Sequence, residues 1–460
     1  MSETIRLPGV DDDTNATINR LMAELEAKKD RNLLRAAYYD GKRAIRNVGT
    51  VIPPQYYRLG IVLGWSAKAV DLLARRCNLD GFVWPDGDLD SIGFDSLWNS
   101  NMVGNEVDQA IVSSLVHGPA FAVATKGGDG EPPALIHFKD AINATGDWNP
   151  RTRSLDNLLS ITCRSKQGNV SGFALYLDGL TIIAEKENGA WQAEEQAHDW
   201  GMPAELLAYK PRIGRPLGQS RITRPVMSLQ DMATREVIRL EGHMDVYSYP
   251  ELWMLGADQS VFKNADGTPQ DRWKVMLGRI KGIPDDDDAE TPRADVKQFP
   301  ASSPEPHLAA LNTYAKLMAR EASLPDTALA VSDIVNPTSA ESYDASQYEL
   351  IAEAEGATDD WSPGLRRVMM KALAIANGIT EIPPAWSSIA PKWRDPRYVS
   401  RASMADAGMK QLTAMPWLAE TDVGLELLGL TAQQRERAES ERRKARAATM
   451  LGSLTAAAGG

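Results

Sequence analysis

The chain has 460 residues, with 62 Asp and Glu against 50 Lys and Arg, and a formal net charge of -12. That acid excess excludes a protein that grips nucleic acid through massed phosphate contacts, a mode that needs concentrated Lys and Arg. Two cysteines, Cys77 and Cys163, exclude a disulfide framework and a four-cysteine zinc site; 43% hydrophobic and 24% charged residues exclude wholesale disorder, and the length predicts two or more domains.

The first predicted helix is "NATINRLMAELEAKKDRNLLRAAYYDG", with an Asn/Thr cap, Leu21, Leu25, Leu33 and Leu34 among charges, and a stop at Gly41. "YRLGIVLGWSAKAVDLLARRCN" predicts a second, more buried helix. "DGFVWPDGD" reads as a short strand and turn, "FDSLWNSNMVGNEVDQAIVSSLVHG" as a third helix, and "PAFAVATKGGDGEPPALIHF" as a hairpin. From Asp147 to Lys210 the texture is short β-prone runs between Gly, Asn and charged turns. The first two hundred residues are therefore expected to form an α+β domain.

A turn studded with Arg212, Arg215, Arg221 and Arg224 leads into a long helix. There Val226, Leu229, Ala233, Val237, Leu240, Met244 and Tyr247 recur every three or four residues as one apolar stripe. Strand-like pieces follow, "ELWMLGAD", "DRWKVMLGRIKGIP" and "ADVKQFPASS". "EPHLAALNTYAKLMAREAS" is a further helix, with Leu308, Leu311, Ala315 and Met318 on one side. After the Pro-bounded loop "LPDTALAVSDIVNPT", the longest helical pattern runs from Ser339 to Asn377, with Gly378 as its C′ residue and Pro363 and Gly364 predicting a kink. The tail has a Pro/Trp-rich stretch and shorter helices, the last with mixed charges.

Catalytic chemistry is hard to build from these residues. His117, His137, His198, His243 and His307 stand alone, without metal-ligand spacing. "PLGQSRI" lacks the second glycine of a nucleophile elbow, and neither a P-loop nor a complete G-x-G-x-x-G is present. Asp285 to Asp288 have the chemistry to attract a divalent cation but read more simply as a solvated loop tip. No catalytic residue, cofactor or metal is expected. No stretch reaches the ~18 apolar residues of a membrane span, and a soluble chain without a membrane partner is expected.

The stretches "YYDGKRAI", "GQSRI", "ELWMLGAD", "QFPASSPEPHLAALNTYAKLMAREASLP", "NPTSAESYDASQYELIAEAE" and "DDWSPGLRRVMMKALA" stand in an order that resembles the portal proteins of tailed bacteriophages, in the Gp6-like branch found in phages of actinobacteria. The resemblance implies a portal-type α+β fold: a wing over residues 1–225, stem helices over 226–247 and 306–323, and a β-rich clip over 248–305. It further implies a tunnel-loop region over 324–338, a long kinked helix over 339–378 and a crown over 379–460.

It also implies a homo-oligomeric ring, usually a dodecamer, at one capsid vertex, after assembly in the host cytoplasm. Such a ring docks the large terminase subunit, a head-completion or adaptor protein, and major capsid and scaffolding proteins, while double-stranded DNA passes without sequence-specific contact. On this reading Ser332, Asp333, Asn336, Thr338, Ser339, Glu341, Lys316 and Arg320 are expected at the tunnel, with Asp344 and Glu353 also lining the conduit. Arg215, Arg221, Arg224, Arg235 and Arg239 are expected at domain or subunit contacts, with Asp231 paired to Arg235. Competing readings are a metal-dependent DNA-processing enzyme and another virion shell protein.

Overall fold

The computed structural model describes residues 4–43, 60–247, 252–257, 266–268, 280–284, 295–298, 302–329, 340–397 and 401–458. Helix α1, Asp12–Tyr39, begins earlier than its Asn/Thr pattern predicts, because Asp11 is the cap and accepts from the Thr14 amide at 2.8 Å. Asn15, the expected cap, instead accepts from the Leu7 amide, and Asn19 one turn on accepts from the Ile5 amide, each at 2.8 Å, which pins the N-terminal segment along the helix. Helix α2, Trp65–Ala74, starts well inside its predicted span, with Gly64 at its N-cap. Strand β1, Leu79–Val83, follows.

The third predicted helix is two, α3 (Phe94–Ser100) and α4 (Val103–His117). Met102 between them has φ 47°, a left-handed turn that redirects the chain. Strands β2 (Pro119–Lys126) and β3 (Ala134–Asp140) form the predicted hairpin. Then come β4 (Ala144–Asn149), β5 (Ser154–Arg164), β6 (Val170–Leu177), β7 (Leu180–Glu187), β8 (Ala190–Ala197) and β9 (Ala204–Ala208).

β4 to β8 are a five-stranded antiparallel meander, whereas β9 leaves it to pair with β2 in the three-stranded sheet β3-β2-β9. Side chains alternate across a strand, and β5 uses both faces of the meander. Leu158 packs towards the three-stranded sheet with Phe121, Val123 and Leu206, while neighbouring Leu159 packs with Ile18 and Leu21 of α1.

Helix α5, Arg224–Tyr247, leads to strands β10 (Leu252–Ala257), β11 (Ile280–Pro284) and β12 (Asp295–Gln298), a sheet of order β11-β10-β12. The chain returns along α6, Glu305–Glu321, which packs against α5. Burial on α5 follows the predicted stripe at Val226 and Ala233, but Gln230 and Thr234 are buried beside them and Met244 and Tyr247 are exposed. Gln230 lies inside because its Oε1 accepts from the Ser66 amide at 2.8 Å, so a polar side chain caps α2 from a neighbouring helix.

Helix α7, Ala340–Ala376, runs unbroken through Pro363. Gly378 terminates it at φ 64°, with the Ile379 amide on the Ala374 carbonyl at 2.8 Å and the Gly378 amide on Ile375 at 3.1 Å, the paired bonds of a Schellman cap. Strand β13, Ala390–Trp393, crosses back to pair antiparallel with β1. Helices α8 (Arg401–Ala414), α9 (Asp422–Leu427) and α10 (Ala432–Ala458) complete the chain.

Candidate functional site: an arginine-centred junction

The "GQSRI" stretch is the joint where the sheets, α4, α5, α6 and α7 meet. Gly218 has φ 71°, and a Cβ there would fall 2.4 Å from the Tyr209 carbonyl oxygen, so only glycine fits this approach. The tight turn lets the Gln219 amide donate to Tyr209 and the Arg221 amide donate to Leu115 at the end of α4. Buried Ser220 donates its hydroxyl to the Val116 carbonyl at 2.5 Å and accepts from the Ile222 amide at 3.0 Å. Two residues of the motif thus satisfy α4's open carbonyls.

Arg221 is then fixed with its side chain 4% exposed. Its Nε donates to the Ala69 carbonyl of α2 at 2.7 Å, Nη1 to the Tyr209 hydroxyl at 3.0 Å and to Glu353 of α7 at 3.3 Å, and Nη2 to the Ala322 carbonyl at the end of α6. One planar guanidinium therefore ties three helices and a strand end together. Burial alone would raise the Glu353 carboxyl. Hydrogen bonds from Lys210 and Tyr209, with the charges of Lys210 and Arg221, outweigh it and hold the group below the ordinary carboxylate range. Burial pushes the Tyr209 hydroxyl up, so it stays protonated and donates to Glu353.

This geometry corrects the expectation for Glu353: its side chain is 12% exposed and belongs to the junction, not to the lining of a conduit. Arg215 is exposed, its backbone paired with Arg212 across the turn. Arg224 is exposed at the first position of α5. Arg235 is half-buried and makes no ion pair with Asp231, which accepts from the Tyr38 hydroxyl at 2.9 Å instead. Arg239 pairs with buried Glu236 at 3.0 Å, and Glu236 also accepts from His307 Nδ1 of α6 at 2.6 Å. At the same end of the pair His243 Nε2 donates to the Ser302 carbonyl at 3.0 Å, its ring edge-on to His307.

Lys316 and Arg320 are exposed on α6. Ser332, Asp333, Asn336, Thr338 and Ser339 lie outside the described residues, as do Asp285 to Asp288. Glu341 and Asp344 belong to α7, but their side chains lie outside the described set. Among the described residues no three of His, Cys, Asp and Glu gather to hold a metal, and no helix is long and apolar enough to cross a membrane.

A second brace was not anticipated. Glu205 of β9, 1% exposed, is held by Arg367 Nε at 2.7 Å and by Lys371 Nζ, both from α7. Beside it a Cβ on Gly364 would lie 2.3 Å from the Leu206 carbonyl oxygen, so this glycine lets α7 press against β9. The buried Trp361 donates to Ser114 of α4 at 3.0 Å. The spacing of Arg367 and Lys371, four apart on one helix face, was the available signal; their partner lies more than 160 positions away.

Fold and junctions together define a chain of mixed helix and sheet, whose long helical pair is clamped at one end by buried ionic groups. The family described as "Phage portal protein, SPP1 Gp6-like" matches residues 18–441, and the chain belongs to it. Portal proteins of Mycobacterium phages L5 and D29 are 25% and 23% identical to it over 420 and 418 residues, in each case 88% of this chain and 84% of the relative. Similar solved chains include one from the virion of the native gene transfer agent particle, with 15% identity, TM-score 0.40 and coverage of 84% of this chain and 94% of that one. Another comes from the neck of the native gene transfer agent particle computed with C12 symmetry, with 14% identity, TM-score 0.41 and coverage of 86% and 98%.

Proposed function

We propose that this portal-family chain assembles into a closed ring of on the order of twelve copies at one capsid vertex, through which DNA is packaged and later released. The observation that carries the reading is the family match across residues 18–441. The α5/α6 pair supports it. Its inner faces bury Ala233, Leu311, Ala315 and Met318, yet Met244, Tyr247 and Leu317 stay exposed, which is apolar surface that adjoining copies would cover.

In this reading residues 1–225 form the wing, 226–247 and 306–323 the stem, 248–305 the clip, 324–338 the tunnel-loop region, 339–378 the supporting helix and 379–460 the crown. The clip would receive terminase and then an adaptor, with capsid and scaffolding proteins around the ring. Ser332, Asp333, Asn336, Thr338, Ser339 and Glu341 would face the duplex, with Lys316 and Arg320 making brief phosphate contacts. The role is structural, with the energy for DNA movement supplied by the motor that docks on it. Sedimentation velocity of the purified chain tests this: a discrete species near twelve subunit masses is expected, and a monomer at all concentrations overturns it. Divalent-metal-dependent cleavage of linear DNA by the same sample would favour the enzyme reading.

A further inference from the structure

A cleft of about 410 Å³ lies between α1 and the 214–219 turn, floored by strands of both sheets. Arg31, Arg35 and Arg215 line it, and none pairs with a carboxylate among the described residues. The two acids on its wall are already engaged: Glu24 by Lys28, and Asp147 by Arg20 at 2.9 Å. Among the described residues Arg35 Nη1 donates to the His117 carbonyl alone, at 2.9 Å. Burial first, then the charges of Arg31 and Arg215, push Arg35 down to about 10, so Arg35 feels both neighbouring cations.

Two buried polar atoms of the same wall also lack partners among the described residues, Asn32 Oδ1 and His117 Nδ1. Asn32 is 3% exposed and its amide orientation is set, because Nδ2 donates to the Ala141 carbonyl at 2.8 Å and leaves Oδ1 as an unmatched acceptor. Burial pushes His117 down to about 4, so its ring is neutral at neutral pH.

We propose that this cleft receives an acidic polypeptide segment from a second copy of the chain, with carboxylates against Arg31, Arg35 and Arg215. The chain carries a formal net charge of -12, so a second copy brings the acids that complement this cationic cleft. Every copy exposes suitable acids, for example Asp86, Asp88 and Asp90 in one turn. The inference rests on the ring reading above and names a contact that would hold neighbouring subunits together.

The test uses the full-length protein. Arg31→Lys and Arg215→Lys preserve the charge and introduce an amine that carbodiimide couples to a contacting carboxylate. Isotope-labelled and unlabelled chains are mixed before assembly and coupling. The expected result is cross-linked peptides of mixed isotope that join an introduced lysine to an Asp or Glu of the other copy. Absence of cross-links, or cross-links within one copy only, overturns the inference.

In parallel, the Arg31→Glu/Arg215→Glu chain is expected to melt like wild type as a monomer while its assembled fraction falls about tenfold or more, since like charges across an interface are strongly unfavourable. Unchanged assembly overturns it, as does intact assembly with loss of binding to a fluorescein-labelled DNA duplex, which would mark a phosphate site. A wild-type chain that never assembles would overturn the ring reading and this inference together; normal rings from the double variant would overturn only the latter.

Discussion

A guanidinium brings five N–H donors and a charge that it cannot shed, so burying one demands partners on several sides. Arg221 finds them on α2, at Tyr209, on α6 and on α7. Lysine at this place keeps the charge but loses the planar fork. Arg221→Lys is therefore expected to lower unfolding free energy by about 3 kcal/mol, the scale of breaking a buried ionic contact, measured by urea titration of the dissociated chain. Removing the opposite charge with Glu353→Gln should cost a similar amount, because Arg221 then loses its buried counter-ion.

Glu353 also sets a pH dependence. Its folded carboxyl lies below the ordinary value of 4.5, so the unfolded chain takes up the proton first as pH falls. The stabilisation is complete above 4.5 and disappears as acid passes through the folded value. A melting series from neutral to acid pH should show this loss, and Glu353→Gln should flatten it. In the sequence Arg221 was visible as a candidate contact, because a charged residue inside a Gly/Ser turn is conspicuous. The conduit place for Glu353 comes from the family resemblance alone, and its true partners are not legible in sequence because they lie 132 and 144 positions away.

Among the elements, the glycine pair of contacts at Gly218 and Gly364 sets how closely the layers approach. The Pro363-Gly364 pair reads in sequence as a kink signal, yet its visible use is steric: the missing Cβ admits the Leu206 carbonyl. Gly364→Ala must push backbone away from backbone, and overpacking of this kind costs about 1–3 kcal/mol. Its expected signature is a lower melting temperature together with faster amide exchange along β9, and exchange unchanged at β9 would contradict the close-packing account.

Helix existence was legible where apolar residues recur every three or four positions, as on α5 and α6, and the Gly378 stop was legible because a left-handed C′ residue favours glycine. The split between α3 and α4 was not, since Met102 has no propensity for the left-handed conformation that tertiary packing imposes. Nor was the burial of Gln230 and Thr234, which depends on a helix end supplied by another part of the chain.

Over the whole molecule, the braces concentrate where distant parts of the chain converge. Arg221 joins the start of α5 to the end of α6, Glu205 fastens α7 to the sheet, and β13 returns the tail to β1, reinforced by Arg394 on Asp80 at 2.6 Å. These ties hold the layers together from several directions, while Met244 and Tyr247 near the end of α5 are exposed. Family membership makes the chain a phage portal protein, and the proposed ring would use both features, a multiply braced subunit and apolar surface for its neighbours to cover.

Top views of the purified full-length protein by electron microscopy test the ring most directly. Class averages without imposed symmetry should show an annulus with an open centre and about twelve repeats. Compact particles with no central opening, at concentrations where the chain is folded, would contradict the account.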